Sequence, residues 1–158
     1  MSNNSAISVK NLNKIYEINS SSHKLALNDI TLDIPKGSIF GLLGPNGAGK
    51  STFINILADL VKKTSGEVLV LGVNQEKDLK KVKSLLGVVP QELNIDPFFT
   101  PYEILEIQAG LYGVPKKNRN TDNILKMLAL TDKAHAYART LSGGMRRRLL
   151  IAKAMVHD

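Results

Sequence analysis

The sequence predicts an α/β fold, and three patterns lead to that prediction. Ile30, Leu32 and Ile34 alternate with polar residues, which indicates a strand with one buried face. Residues 38–43 form a short and almost wholly apolar run, as in a strand that is buried on both faces. A glycine-rich turn then leads into an amphipathic helix, and beyond residue 91 the pattern is nearly all helical. Strands and helices therefore mix in the first part of the chain, and helices dominate the second.

The other elements follow from the same periodicities. Each further predicted strand is a run of apolar residues bounded by turn formers, at residues 7–16, 67–71 and 86–89. Helices are predicted at residues 53–60, 76–85, 101–112, 121–130 and 143–156; the first and third have apolar residues at helical spacing, and the second is rich in lysine. Pro101 suits the first turn of its helix, because its ring fixes the backbone in a helical conformation.

The composition is that of an ordinary globular protein of 158 residues, with 43% hydrophobic and 22% charged residues. Because the chain has no Cys, disulfides, thiolate zinc sites and cysteine nucleophiles are excluded. The first ten residues do not resemble a secretory signal, and no apolar run approaches the roughly 20 residues that span a bilayer. The sequence predicts a chain that does not cross a membrane.

The formal charge of +7 favours anionic partners, which include nucleotide phosphates, nucleic acids and acidic membrane surfaces. The basic residues are dispersed along the chain, and only 5% of the residues are aromatic. A surface that stacks nucleic-acid bases needs interleaved aromatic side chains. We therefore interpret most of the basic residues as solvated faces of helices and turns.

One motif carries specific chemistry, because residues 44–51 fit the pattern G-x-x-x-x-G-K-[ST] at every fixed position. Glycines let backbone N–H groups approach phosphate oxygens, and the helix that follows points its positive end at the same place. In such a loop Lys50 reaches the β and γ phosphates, and the Ser51 hydroxyl binds Mg²⁺. The motif predicts phosphate binding but leaves the reaction open, since kinases, GTPases and motor ATPases all use it.

A second motif, Leu-Ser-Gly-Gly-Met at residues 141–145, opens the last predicted helix. Together with the loop Gly-Pro-Asn-Gly-Ala-Gly-Lys-Ser-Thr it resembles the signature sequence of ATP-binding cassette (ABC) proteins. Val-Val-Pro-Gln at residues 88–91 resembles the Q-loop of this family, and Tyr16 stands where the family places an adenine-stacking aromatic. The resemblance covers essentially the whole sequence, in the right order and at the right spacings. It implies a P-loop NTPase fold with an N-terminal β subdomain, a RecA-like core and a helical subdomain.

The resemblance also implies a role for each matching residue. Tyr16 would stack on adenine, while Lys50 and Gln91 would take part in catalysis and Ser51 and Gln91 would bind Mg²⁺. The residues that would surround ATP are Tyr16, Gly44, Pro45, Asn46, Gly47, Ala48, Gly49, Lys50, Ser51 and Thr52. Those that would contact the γ-phosphate of a nucleotide on a second subunit, in a head-to-tail dimer, are Ser142, Gly143 and Gly144.

For the whole protein, the resemblance implies an ATP hydrolase subunit on the cytoplasmic face of a membrane. It would work with a second ATP-binding subunit and a separate transmembrane permease, and no nucleic acid is expected. Residues 93–102 would couple nucleotide to permease. Met145 replaces the Gln that is commonest at this position, and with residues 146–149 it resembles the subgroup that serves export-type (ABC-2) permeases.

The family also uses a Walker B strand, a catalytic Glu and a switch His, and none of these is found in the 158 residues. We therefore expect one incomplete domain over residues 1–158, with the β subdomain and P-loop core at 1–91 and the helical subdomain at 92–158. Such a chain alone is expected to bind ATP weakly, to leave it unhydrolysed and to aggregate. His23, His135 and His157 are interpreted as surface residues.

Three alternatives stay open on the sequence. A soluble ABC ATPase that acts on ribosomes or DNA would suit the +7 charge, although no long basic arm or second cassette is visible. A small P-loop kinase of another family would share the loop but has no use for Gln91 and the signature. A degenerate remnant would bind nucleotide or nothing at all.

Overall fold

The computed structural model describes residues 4–19 and 22–157, and the chain divides into two compact units, Met1–Leu85 and Leu86–Asp158. The first unit contains all the described strands and the glycine-rich loop, and the second is helical. Neighbouring elements in each unit bury apolar side chains that the sequence pattern had already placed on one face.

The first unit is built on a four-stranded antiparallel sheet in the order β2-β1-β3-β4. Its strands are β1 (Ser5–Asn19), β2 (Ser22–Pro35), β3 (Ser65–Val70) and β4 (Val73–Asn74). Val9 at the centre of β1 pairs with Leu32 on one side and Val68 on the other. The predicted strands at residues 7–16, 30–34 and 67–71 are therefore confirmed, with β1 and β2 longer than expected.

The buried face of the sheet comes from the alternation of apolar and polar residues. Val9, Leu12, Val68 and Val70 are all at most 1% exposed. The β1–β2 pairing shifts register around Asn11, whose φ of 47° is in the left-handed region. Such bulges increase the local twist of a hairpin.

Two helices complete the first unit, α1 (Lys50–Leu57) and α2 (Leu79–Ser84). Phe53 is buried in α1 as predicted, but Ile54 and Leu60 of the predicted apolar face are 49% and 71% exposed, and Ile56 is buried instead. The buried Gln75 side chain donates hydrogen bonds to the carbonyls of Ile56 (2.7 Å) and Leu57 (3.2 Å). These bonds satisfy carbonyls at the end of α1 that have no partner inside the helix.

The strands predicted at residues 38–43 and 86–89 are not formed, so those two predictions are wrong for the described structure. Both segments lack a strand assignment, and Leu43 is 93% exposed. An apolar run becomes a strand only when another strand supplies its backbone hydrogen bonds and covers its side chains. Within residues 4–19 and 22–157 no strand pairs with either segment.

Over residues 86–157 of the second unit the structure has three helices, α3 (Pro101–Leu111), α4 (Thr121–Met127) and α5 (Gly143–Ala154), which confirm the helices predicted there. Short 3-10 turns lie at Lys116–Asn118, Thr131–Lys133 and Ala138–Thr140. Thr100 caps α3 in a reciprocal capping box with Glu103, and Pro101 follows in the first turn. The core of this unit includes Leu105, Leu125, Leu130 and Leu149, each at most 1% exposed.

A polar cluster holds α3 to the start of α4. The Glu106 carboxylate accepts hydrogen bonds from the Thr121 hydroxyl (2.5 Å) and the Arg119 guanidinium (2.6 Å). These bonds hold the pKa of Glu106 below its usual value, since both stabilise the charged carboxylate. Among the helices of residues 4–19 and 22–157, none has the length and apolar character that would let it cross a membrane.

Candidate functional site

The glycine-rich loop lies between the unpaired segment at residues 38–43 and the first turn of α1. Gly47 and Gly49 have φ values of 84° and 91°, in the region that favours glycine. A Cβ on Gly49 would lie 2.5 Å from the Ala26 carbonyl oxygen and 2.8 Å from a methyl carbon of Leu27. Gly49 is thus required twice, for its backbone angle and for the close approach of the loop to β2.

The backbone N–H groups of this loop form a site that suits an anion. In the part of the chain that the structure describes, the amides of Gly47, Gly49, Lys50 and Ser51 have no hydrogen-bond acceptor. Gly49 is the N-cap of α1 and provides no side-chain cap, so the end of the helix is open. Unsatisfied amides at a helix N-terminus attract phosphate oxygens. This arrangement fits a triphosphate, as the motif predicts.

Lys50 lies across the loop that precedes it. Its ammonium donates hydrogen bonds to the carbonyl oxygens of Gly44 (2.6 Å) and Pro45 (2.7 Å). The ammonium is thereby held at the loop, where phosphate oxygens can replace the neutral carbonyls as acceptors. The exchange is favourable because phosphate oxygens carry negative charge and attract the ammonium more strongly than neutral carbonyl oxygens do.

The Ser51 hydroxyl is solvent-exposed and comes from the first turn of α1. Among residues 4–19 and 22–157, no group of three or more His, Cys, Asp or Glu side chains could hold a metal ion. Mg²⁺ commonly binds with few protein ligands and takes its other oxygens from phosphates and water. A single hydroxyl beside a phosphate site fits that mode of binding.

An apolar cavity of about 100 Å³ lies behind the loop. Leu27, Ile30 and Leu32 of β2 line it together with Leu42, Leu43, Ala48, Gly49, Lys50 and Phe53. The glycine-rich loop therefore faces apolar side chains of β2 across this cavity.

The far end of α1 is fixed by charge. Asp59 has a side chain that is 9% exposed, and its carboxylate forms ion pairs with Lys62 (2.5 Å) and Lys83 (2.9 Å). The hydrogen bond from Lys62 and the interactions with Lys83 hold the pKa of Asp59 below its usual value. Asp59 also has a φ of 56°, so the chain turns sharply here after α1.

Tyr16 lies on β1, in the same unit as the loop, and is partly buried. The Lys14 ammonium stands 4.6 Å from the centre of the Tyr16 ring. The neighbouring Ile15 is tied to the chain that follows α1, because its amide donates to the Thr64 hydroxyl (3.0 Å). The Thr64 amide in turn donates to the Asn13 carbonyl (2.9 Å).

The remaining predicted site residues belong to the second unit. Gln91 is exposed and lies at a bend of the chain. Ser142 is the N-cap of α5, and its hydroxyl accepts a hydrogen bond from the Met145 amide (3.3 Å). A Cβ on Gly143 or Gly144 would meet no atom within 4 Å, so both glycines leave open space at the start of α5. The signature thus forms an exposed helix N-terminus.

Some residues around the site were missed or misjudged from sequence. Nothing in the sequence indicated that Thr64 braces β1, because that contact joins residues 49 positions apart. Lys14 could have been found from its spacing, since residues two apart in a strand share a face.

His23 and His135 are exposed as predicted, but His157 is partly buried and stacks on Tyr112, with 4.1 Å between ring centres.

Comparison with known families gives a match over residues 27–158 to the family described as ABC transporter. The linearmycin resistance ATP-binding protein LnrL of Bacillus subtilis is 36% identical, over 96% of this chain and 48% of its own length. The methionine import ATP-binding protein MetN of Photorhabdus laumondii is 35% identical, over 96% of this chain and 46% of its own length. The chain spans less than half the length of either relative. Because one relative is named for import, the export-type subgroup stays a prediction.

Solved structures agree with the sequence matches. The dimeric structure of MJ0796, a bacterial ABC transporter cassette, superposes with a TM-score of 0.77 at 28% identity. It is matched over 94% of this chain and 68% of its own length. The same cassette in a dimeric post-hydrolysis state, bound to ADP and Pi, gives a TM-score of 0.77 at 29% identity, with the same coverage. These neighbours confirm the predicted fold class.

Proposed function

The chain belongs to the ABC transporter family of ATP-binding proteins, and from this premise we propose that its glycine-rich loop binds ATP together with Mg²⁺. One observation carries the proposal. The amides of Gly47, Gly49, Lys50 and Ser51 have no acceptor within the described residues and meet at the open N-terminus of α1. A polyphosphate supplies the oxygens that these groups lack.

Each loop residue then has a distinct task. The backbone from Gly44 to Thr52 surrounds the triphosphate, and Lys50 moves its ammonium from the loop carbonyls to the β and γ phosphates. The Ser51 hydroxyl provides a protein ligand for Mg²⁺, which neutralises charge on the phosphates when it is bound. We propose that Gln91 contacts this metal ion and the attacking water, and that the Tyr16 ring stacks on adenine.

For the whole protein we propose an ATP-hydrolysing subunit of a membrane transporter on the cytoplasmic face. Two such subunits would close head to tail, so that Ser142, Gly143 and Gly144 of one reach the γ-phosphate bound to the other. The open N-terminus of α5 supports this role, since it presents backbone amides to an anion. The dimeric relative of known structure supports the dimer, and the transport proteins among the relatives support a permease partner.

Hydrolysis needs groups beyond those of the loop. Residues 1–158 contain no Walker B strand and no catalytic Glu, which would polarise the attacking water. We propose that a polypeptide of these residues alone binds nucleotide weakly and does not turn it over. Steady ATP hydrolysis by that purified polypeptide would contradict this part of the proposal.

The test of ATP binding is calorimetric titration of the chain with ATP and Mg²⁺. Lys50→Ala removes the ammonium and is expected to weaken binding at least about tenfold, the loss of one charge-assisted hydrogen bond. Lys77→Ala is the matched control, because its side chain is exposed and forms no hydrogen bond or ion pair with the described residues. Equal affinities of the two variants would overturn the proposed site.

A further inference from the structure

We infer that Lys14 is a positioning residue for the nucleotide base, which it directs to one face of the Tyr16 ring. The inference rests on the proposed function, because ATP binding with adenine stacked on Tyr16 is part of that function. Lys14 itself touches neither phosphate nor base in this arrangement; it acts through the ring.

The geometry comes from the strand that both residues share. Lys14 and Tyr16 are two residues apart on β1, and their side chains therefore project from the same face. The Lys14 ammonium lies 4.6 Å from the centre of the Tyr16 ring, well inside the roughly 6 Å range of a cation–π contact. One face of the ring is thus covered by a cation. A base can stack only on the opposite face.

The ammonium also changes how well that opposite face binds a base. It draws electron density of the ring toward itself, and a ring with less density on its free face stacks better on an electron-rich purine. It further holds the ring in one rotamer, so less side-chain entropy is lost when the base arrives. Both effects raise the affinity for the base and leave the affinity for the phosphates unchanged.

The strand that carries this pair is tied to the chain that follows α1. Thr64, which follows α1, accepts a hydrogen bond from the Ile15 amide (3.0 Å) and donates one to the Asn13 carbonyl (2.9 Å). Because Asn13 and Ile15 are both hydrogen-bonded to Thr64, Lys14 lies between two residues whose backbone is held in place. The backbone on both sides of Lys14 is therefore held in place, which fixes the face of the Tyr16 ring that the ammonium covers.

The experiment separates base from phosphates by comparing two ligands, ATP and inorganic tripolyphosphate, each with Mg²⁺, in calorimetric titrations of the full chain. Lys14→Met is expected to weaken ATP binding about twofold to fivefold, because the freed Tyr16 ring would then have to be ordered when the base arrives. It should leave tripolyphosphate binding unchanged. Lys14→Arg should restore the affinity for ATP, because a guanidinium also stacks on aromatic rings.

Two further variants serve as controls. Lys24→Met removes the same charge from the strand partner of Tyr16, and it should change neither affinity. In a Tyr16→Leu background, Lys14→Met should have no further effect on ATP binding, because the ring through which Lys14 acts is gone.

The outcomes distinguish this inference from the proposed function. If the unchanged chain binds neither ATP nor tripolyphosphate, both fail. If it binds both ligands and Lys14→Met leaves ATP binding as it was, only the inference fails. An equal loss for ATP and tripolyphosphate would show that Lys14 attracts the phosphates by its charge, and that result also overturns the inference.

Discussion

Strand β3 and the segment at residues 38–43 are each six residues long and begin with Ser, yet only one of them forms a strand. β3 lies between β1 and β4 and hydrogen-bonds to both, and its Val68 and Val70 are 1% exposed. The other segment has more large apolar residues, but no strand within the described residues pairs with it, and Leu43 is 93% exposed. The comparison teaches that the partner strand, and not the apolar character alone, decides whether a β-type sequence is buried.

The largest expected effect is a core truncation that tests this contrast directly. Leu12→Ala removes a side chain that is fully buried in the sheet and is expected to lower the free energy of unfolding by about 3 kcal/mol. Leu43→Ala should change it by less than about 0.5 kcal/mol, since that side chain is already in water. Urea unfolding followed by circular dichroism measures both. Equal losses would show that residues 38–43 are buried in solution.

The second prediction concerns the loop that joins residues 38–43 to α1. Gly49→Ala places a methyl group against the Ala26 carbonyl and the Leu27 side chain at a φ of 91°, and should cost about 2–4 kcal/mol of stability. Gly47→Ala is the matched control, because its φ of 84° is similar but nothing lies within 4 Å of the new methyl group. It should cost only about 1 kcal/mol, the backbone strain alone. A similar cost for both variants would mean that the loop does not pack on β2.

The smallest effect concerns the end of α1 opposite the loop and depends on pH. The folded-state pKa of Asp59 is lowered by Lys62 and Lys83, so its ion pairs stabilise the fold above the unfolded value of 3.8. That stabilisation is lost as the pH falls through the pKa of Asp59 in the folded state, which lies below 3.8. Asp59→Asn tolerates the φ of 56° equally well. It should lower the free energy of unfolding by about 1–2 kcal/mol at pH 7.

The check on Asp59 is a series of unfolding curves from pH 7 downward. The difference between the unchanged chain and Asp59→Asn should shrink as the pH falls below about 4 and vanish at lower pH. A difference that stays constant over that range would mean that the effect of the substitution does not come from the charge of Asp59.

The same contrast explains what the sequence could predict. The alternation at Ile30, Leu32 and Ile34 sufficed for β2, because its partner β1 is adjacent along the chain. Pro101 marked the start of α3, since the fixed backbone of proline is a local signal for the first helical turn. The apolar runs at residues 38–43 and 86–89 gave wrong predictions, because a strand buried on both faces depends on neighbours that the run itself does not contain.

The candidate site divides in the same way. The loop and the N-cap at Ser142 were predictable, because each depends on a short stretch of consecutive residues. The brace from Thr64 to β1 and the two lysines on Asp59 were not, because they join residues that are distant along the sequence or whose orientation depends on the turn after α1.

The measurement that tests the account most directly is hydrogen–deuterium exchange of the full chain, with and without ATP and Mg²⁺. The account predicts that the amides of Gly47, Gly49, Lys50 and Ser51 exchange about tenfold or more slower when the nucleotide is present, because they gain phosphate acceptors. The amides of β3, already paired in the sheet, should be unchanged. Exchange at residues 47–51 that does not respond to ATP would contradict the claim that this loop is the phosphate site.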